Sequence, residues 1–247
     1  MLNQPRDLQP DWPAADNVRT LITTREDPQA VSKGRYASFN LGMHCGDAVA
    51  AVQMNRQRLA DILPTSPLWL KQVHGKQVIR ADEHQPGIEA DACIANNNNQ
   101  VCAVLTADCL PVLLCDEKGS SVAAVHAGWR GLYQGIIAAT VAKLLVPTGQ
   151  VLAWLGPAIS QPNYQVDARF YERFITQNPA YELGFQQRHR HWYADLYVLA
   201  KVQLEQVGVK RVYGGHWCTY AQSEQFYSYR RDAVCGRQAS LIWLAEK

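Results

Sequence analysis

The chain lacks the short motifs that mark common enzyme classes. No G-x-G-x-x-G follows an apolar segment, which argues against a Rossmann dinucleotide site, and the absence of G-x-x-x-x-G-K-[ST] excludes a P-loop nucleotide hydrolase. The H-E-x-x-H signature, the G-x-S-x-G nucleophile elbow and the H-x-E with P-C-x-x-C pattern of zinc base deaminases are also missing. Any chemistry of this chain therefore rests on residues outside the widespread motifs.

A strong excess of charge and a long apolar run are absent as well. The 24 basic and 22 acidic residues give a net charge of +2, so the sequence predicts no strong non-specific attraction to nucleic acid or to an anionic membrane. The longest apolar segment, 101–115, is broken by Thr106, Asp108 and Pro111, which excludes a membrane-spanning helix there. We expect small molecules rather than nucleic acid or membrane as partners, and the oligomeric state stays open.

The seven cysteines form no C-x-x-C pair. An odd number of scattered thiols, with polar residues 1–13 that lack the apolar core of a secretory signal, indicates reduced cysteines and a cytoplasmic location. No internal repeat and no linker rich in proline, serine or glycine divides the 247 residues. We therefore expect one domain over residues 1–247.

Short apolar segments alternate with segments of helical periodicity. The pattern predicts strands at 68–73, 77–81, 92–95, 101–106, 110–115, 122–125, 151–155, 211–213, 226–229 and 240–244. It predicts helices at 132–145, at 167–176 behind an Asp167 cap, and at 196–207. Continuously apolar strands are buried on both faces, so the sequence predicts an α/β protein with layered mixed β-sheets flanked by helices.

Three segments place a nitrogen or sulfur ligand at the end of an apolar run, beside glycine or a turn. They are K-Q-V-H-G with His74, T-A-D-C-L-P with Cys109 and V-H-A-G-W with His126. Functional groups of α/β folds gather where strands end. Two imidazoles and one thiolate suit Zn²⁺ and leave a fourth position for water or substrate. These three residues are the candidate metal ligands and the candidate catalytic residues.

The same residues are compatible with other roles. A histidine beside Cys109 would take the thiol proton and leave a nucleophilic thiolate. Cys109 between apolar runs is also compatible with a simple buried thiol. Asp108 reaches the same site only through a turn, because neighbouring side chains of a strand point in opposite directions. Cys218 is the first residue to consider as a fourth protein ligand.

Three further residues are candidate substrate contacts. Arg56 and Arg230 carry planar guanidinium groups that bind phosphate or carboxylate. Asn40 lies in an F-N-L-G segment typical of a turn. In the absence of a fold that brings them to Cys109, a surface charge or a turn residue is the plainer interpretation of each.

At these segments the chain resembles the bacterial laccase-domain family, also described as polyphenol oxidases or YfiH-like proteins. No single segment is specific, but together they cover the chain nearly from end to end. The segments are 38–42, 46–47, 55–56, 72–75, 106–111, 126–131, 155–159, 218–219, 226–232 and 236–237.

The resemblance implies a single-domain fold related to the cysteine-hydrolase toxins and a zinc site at His74, Cys109 and His126. It implies phosphorolysis of adenosine, inosine, guanosine and methylthioadenosine, with purine nucleosides and phosphate as substrates, together with adenosine deamination. Relatives of the family also imply an alternative, a cytoplasmic amidase that edits a peptidoglycan precursor at the same site. A non-catalytic metal-binding protein is the remaining alternative.

The residues weigh against the multicopper chemistry in the older family name. Several coppers require paired H-x-H motifs, whereas this chain has 7 histidines and one such pair, His189 and His191, among polar residues typical of a solvated loop. We therefore expect zinc as the cofactor, and copper at the His74, Cys109 and His126 site only as an adventitious ion.

Overall fold

A computed structural model describes residues 8–246. The helices are α1 Val49–Ala60, α2 Trp129–Gln134, α3 Ile136–Leu144, α4 Ala168–Gln177, α5 Leu196–Gln206 and α6 Tyr229–Asp232. The strands are β1 Val18–Ile22, β2 Val78–Arg80, β3 Ala92–Ala95, β4 Cys102–Thr106, β5 Leu110–Asp116, β6 Val122–Ala127, β7 Val151–Leu155, β8 Gln165–Val166, β9 Phe185–Arg188, β10 His191–Ala194, β11 Arg211–Gly214 and β12 Gln238–Leu244. Within the described residues, no helix combines the length and apolar character that crossing a bilayer requires.

The centre of the fold is a six-stranded mixed sheet in the order β11-β7-β5-β6-β3-β2. Strand β6 runs antiparallel to both of its neighbours, with Pro111 of β5 opposite His126 and Ala92 of β3 opposite Val125. The start of β5, the end of β6 and the start of β3 therefore meet at one edge of the sheet. This edge carries the candidate site.

The two faces of the central sheet bury different partners. Val112 and Leu114 of β5 pack with the apolar residues of α2, α3 and α5. Leu113 and Cys115, on the opposite face, pack against the antiparallel sheet β1-β12-β4. Because successive side chains alternate between two buried faces, the strand is apolar at nearly every position.

A fourth layer completes the domain. Leu59 of α1 packs on the outer face of the three-stranded sheet, together with Leu21 and Leu241. A small sheet, β8-β10-β9, lies beside α4. The layers are helix, sheet, sheet and helix, so the expected single-domain α/β architecture of mixed sheets flanked by helices is confirmed.

Two predicted strands do not form as expected. Residues 68–73 make only isolated bridges, from Leu68 to Cys102 and from Lys71 to Glu89. Residues 226–229 form no strand, because Phe226 and Tyr227 are buried in a loop before α6. In that loop the Tyr227 N–H donates to the side-chain oxygen of Gln238 in β12 rather than to a backbone carbonyl of a strand.

The predicted helix at 132–145 is two helices. It begins earlier, at Trp129, and Gly135 divides α2 from α3 with a left-handed φ of 82°. Helix α1 was not predicted, because its buried residues include Asn55 while Met54 is exposed. Its sequence therefore lacks the apolar stripe that marks a helix.

Candidate functional site

The antiparallel strands bring distant parts of the chain to one edge. Cys109 immediately precedes β5, and His126 lies near the end of β6. Asp91 immediately precedes β3, while His74 lies in the loop before β2. Asp108 and His74 both have positive φ angles, 88° and 59°, so tight turns direct these two segments toward the site.

The side chains of His74, Cys109 and His126 form a compact trio. Their ligand atoms all lie within 4.8 Å of one another, and the two imidazole rings meet edge to face with centroids 4.8 Å apart. His126 is buried, while the other two are half-buried. Among residues 8–246 this is the only group of three or more histidine, cysteine or acidic side chains arranged to hold a metal.

The donor set of the trio suits a metal ion. Two nitrogens and one sulfur are ligands that zinc accepts, and a three-residue set leaves one position free. Cys218 is not a member of the group. Its sulfur instead accepts hydrogen bonds from Asn163 Nδ2 at 3.3 Å and from the Ala221 N–H at 3.4 Å. Cys218, the first residue considered as a fourth protein ligand, thus lies outside the described trio.

Asp91 is the residue that sequence reasoning missed. Its fully buried carboxylate lies 2.7 Å from His126 Nδ1. It also accepts hydrogen bonds from the backbone N–H groups of Val73, His74 and Gly75, at 3.3, 3.0 and 2.7 Å. The available signal was an aspartate inside the apolar segment A-D-A-C-I-A, since a buried carboxylate requires partners.

The ionised side chains of the site stabilise one another's charged forms. Burial alone would raise the pKa of Cys109, but the charge and hydrogen bonds of His126 and His74 outweigh it and lower this pKa to about 6. Burial would likewise lower the pKa of His126, yet the Cys109 thiolate and Asp91 raise it to about 9. The pKa of Asp91 is lowered despite burial, by His126 and the backbone N–H donors. Without metal, the site favours a thiolate beside an imidazolium.

A cavity of about 510 Å³ opens onto the trio. Arg56, Arg237, Lys71, Trp69 and Tyr229 line it, and no aspartate or glutamate is among the described residues on its surface. Lys71 is paired with Glu89 at 2.8 Å. The two arginines pair with no carboxylate in the described part of the chain, so the cavity presents uncompensated positive charge.

Arg56 is built into the cavity wall. Its guanidinium lies over the Trp69 ring at 4.3 Å, and its Nε donates to the Leu41 carbonyl at 2.8 Å. Burial lowers its pKa to about 10, so the group stays charged at neutral pH. Its two terminal nitrogens have no hydrogen-bond partner among the described residues, which leaves them available to an anion.

Asn40 lies behind the cavity surface rather than on it. The side chain is fully buried, and its oxygen accepts from the N–H groups of Gly42 and Arg237 at 2.8 and 2.9 Å. Its amide nitrogen donates to Asp47 at 3.0 Å. Asn40 thus holds two segments of the cavity wall, and its direct contact with substrate stays a prediction.

Arg230 also lies outside the lining of this cavity. Its guanidinium stacks over Tyr164 at 5.1 Å and donates to the Gln165 carbonyl. Its backbone N–H donates to Asp108 Oδ2 at 2.6 Å, while Asp108 Oδ1 accepts from Thr219 at 2.7 Å. Both oxygens of Asp108 are therefore used to tie loops together, and a substrate role for Arg230 stays a prediction. Arg237, which sequence reasoning did not single out, lines the cavity in its place.

Fold and site together define a class of protein. The chain is a four-layered α/β protein whose central sheet carries a histidine–cysteine–histidine site in a cationic cavity. The family described as multi-copper polyphenol oxidoreductase laccase matches residues 19–245. The chain therefore belongs to this laccase-domain, YfiH-like family.

Curated relatives match along almost their whole length. The chain is 46% identical to a Shigella flexneri protein named purine nucleoside phosphorylase YfiH, over 96% of this chain and 98% of the relative. It is 43% identical to a purine nucleoside phosphorylase of Pseudomonas aeruginosa, over 97% and 98% of the two chains.

Solved structures share the fold. A Neisseria meningitidis protein, 45% identical, superposes with a TM-score of 0.93 over 98% of this chain and all of its own. YlmD from Geobacillus stearothermophilus, 27% identical, gives a TM-score of 0.88 over 95% of this chain and 94% of its own. The layered architecture described above is thus the architecture of these proteins.

The low pKa of Cys109 predicts its reactivity in metal-free protein. Since the thiolate is the nucleophile, alkylation of Cys109 by iodoacetamide should reach half its maximal rate near pH 6 and stay fast above it. Peptide mass spectrometry after chelator treatment measures this at Cys109 separately from the other cysteines. A half-maximal rate near pH 9, the ordinary thiol value, would contradict the described pairing with His126.

The close approach of Gly128 to Cys109 allows a steric test of the trio. A Cβ at this position would lie 2.8 Å from Cys109 Sγ and 3.4 Å from His74, so Gly128→Ala should displace the thiolate and weaken binding of a divalent metal about 10–100-fold. Chelator competition measures the affinity. Gly149→Ala is the matched control, because a Cβ there meets nothing within 4 Å. Equal affinity in both variants would show that the sulfur position does not matter.

Proposed function

We propose that this protein is a zinc-dependent purine nucleoside phosphorylase that also deaminates adenosine. The observation that carries the proposal is that the trio, whose ligand atoms could hold a metal, opens onto a cationic cavity with no lining carboxylate among the described residues. Membership of the family supports it, as do the names of relatives 40–46% identical. The proposed substrates are adenosine, inosine, guanosine and methylthioadenosine, with inorganic phosphate as the second substrate.

Phosphorolysis requires the cavity to bind an anion beside a nucleoside. A phosphate oxygen bonds to C1′ of the ribose as the C1′–N9 bond breaks. The purine leaves with that electron pair and takes up one proton, which balances the proton that the hydrogen phosphate gives up. The products are the free base and ribose-1-phosphate. The terminal guanidinium nitrogens of Arg56, which have no partner among residues 8–246, are available to the phosphate, and Arg237 adds a second positive charge. Tyr229, exposed at the cavity, offers an aromatic face to the purine.

His74, Cys109 and His126 are the residues that would hold zinc. When bound, zinc supplies activation of a water molecule for hydrolytic attack, which is the chemistry that adenosine deamination needs. Copper in the family description is accommodated as adventitious occupation of the same trio. The H-x-H pair, His189 and His191, lies on the exposed hairpin of β9 and β10, apart from the trio, and so gives no support to a site for several coppers.

A second candidate is an amidase that edits a peptidoglycan precursor. The observation that favours it is the order Cys109, His126 and Asp91, which matches the logic of a nucleophile, a base and an orienting carboxylate. The Cys109 thiolate would attack the amide carbonyl carbon and form a thioester, while the leaving amine takes its proton from His126. Water would then hydrolyse the thioester. The arginines of the cavity would face carboxylates of the peptide.

Product analysis tests the proposed function. Wild type incubated with adenosine and phosphate should form adenine and ribose-1-phosphate, together with inosine and hypoxanthine from deamination, whereas without phosphate only inosine should form. Mass spectrometry identifies the products. Cys109→Ala should lose both activities with the metal. Cys115→Ala, a buried cysteine in strand β5 outside the cavity, should retain both.

The alternative outcomes are equally informative. If metal-free Cys109→Ala still deaminates adenosine, the proposal that zinc at this site supports deamination would be wrong. Absence of both products from metal-loaded wild type would overturn the nucleoside proposal. Release of an amino acid from a muramyl-peptide precursor would then favour the amidase.

The position of Arg56 in the cavity predicts that it contributes to phosphate binding. Loss of a charge-assisted hydrogen bond costs roughly 1.5–3 kcal/mol, so Arg56→Ala should raise the KM for phosphate about 10–100-fold. Initial rates at varied phosphate concentration measure this. Arg58→Ala is the control, since Arg58 lies on the same helix α1 but pairs with Asp27 outside the cavity. An unchanged KM for phosphate in Arg56→Ala would place the anion elsewhere.

A further inference from the structure

One buried carboxylate contacts both histidine-bearing segments of the trio. We propose that Asp91 is a positioning residue that fixes both the orientation of the His126 ring and the backbone conformation of the turn at His74. The inference deepens the proposed function and, where it concerns zinc, rests on it. Asp91 lies in neither segment and does not line the cavity, so it acts through the two histidines.

The first contact fixes the ring orientation of His126. Asp91 Oδ1 accepts from Nδ1 at 2.7 Å, and the His126 backbone N–H donates to the Asp91 carbonyl, also at 2.7 Å. With the proton on Nδ1 committed to the carboxylate, Nε2 is the nitrogen left to face Cys109 or a metal. A carboxylate behind a metal-binding histidine holds the tautomer and the ring orientation.

The second contact fixes the backbone turn that carries His74. Three successive N–H groups, those of Val73, His74 and Gly75, converge on the same carboxylate. This arrangement supports the positive φ of 59° at His74, a conformation that costs a non-glycine residue energy. The turn therefore depends on Asp91 to aim the His74 side chain at Cys109.

The hydrogen-bond pattern requires a carboxylate. Oδ1 accepts from His126 Nδ1 and from the His74 N–H, while Oδ2 accepts from the N–H groups of Val73 and Gly75. An asparagine has one oxygen and one NH₂ group, and the NH₂ group can only donate. In either orientation Asp91→Asn would place a donor against donors, at His126 and His74 or at Val73 and Gly75. The first orientation would remove the acceptor of both histidines, and the second would remove two of the three acceptor contacts of the His74 turn, without loss of side-chain volume.

Asp116 provides a matched control. It is also buried, at 1% exposure, and its carboxylate accepts hydrogen bonds from the N–H groups of Lys118, Ser120 and Ser121. It closes the turn between β5 and β6, away from the edge of the sheet that carries the trio. Asp116→Asn should therefore lower stability as Asp91→Asn does, without moving the trio.

Two readouts separate positioning from stability. By chelator competition, zinc affinity should fall about 10–100-fold in Asp91→Asn and stay within about twofold of wild type in Asp116→Asn. In metal-free protein, proton NMR should show a far-downfield signal from the His126 Nδ1 proton. In Asp91→Asn alone this signal should move upfield or disappear, because a neutral amide oxygen is a weaker acceptor than a carboxylate. If Asp91→Asn does not fold by circular dichroism, Asp91→Glu takes its place, since its displaced carboxylate should also weaken zinc binding at least about tenfold.

The outcomes distinguish this inference from the proposed function. Wild-type zinc affinity and a retained downfield proton in Asp91→Asn would overturn the positioning role, as would equal losses in Asp116→Asn. If wild type binds no zinc, the zinc-dependent function fails, and the Nδ1 proton signal alone decides the role of Asp91.

Discussion

In the central sheet Pro111 lies opposite His126, and this antiparallel register of β5 on β6 determines where the chemistry is placed. Cys109 stands just before β5, so the register brings its sulfur to the end of β6. A slip by one residue would turn His126 to the other face of the sheet and separate it from Cys109. Pairing of β6 with β3 brings Asp91 to the same edge by the same geometry.

The electrostatics of the site follow from burial at that edge. Cys109, His126 and Asp91 stabilise one another's charged forms in a place where any one of them alone would be expensive to ionise. The neighbouring cavity carries positive charge from Arg56 and Arg237, although the whole chain has a net charge of only +2. The positive charge of the cavity is therefore a local property, which the composition of the chain does not reveal.

Prediction of the fold succeeded where the sequence signal was strong. Strands β3 to β7 are apolar on both faces and bounded by turns, and the structure confirms them. The prediction failed at 226–229, because Phe226 and Tyr227 have the residue types of a strand but bury their rings in a loop. It missed α1, whose contact surface includes Asn55. Apolar composition indicates burial, whereas the hydrogen-bond partner of the backbone depends on the rest of the fold.

The sequence by itself determined the family, the α/β layering and the three residues His74, Cys109 and His126, because these depend on residue types in short segments. Only the tertiary structure decided which groups accompany them. Asp91 joined the site through strand pairing, Arg237 lines the cavity, and Arg230 was turned toward Tyr164. Asn40 was placed behind the wall. The physical reason is that these positions follow from contacts between residues distant in the chain, which a local pattern does not encode.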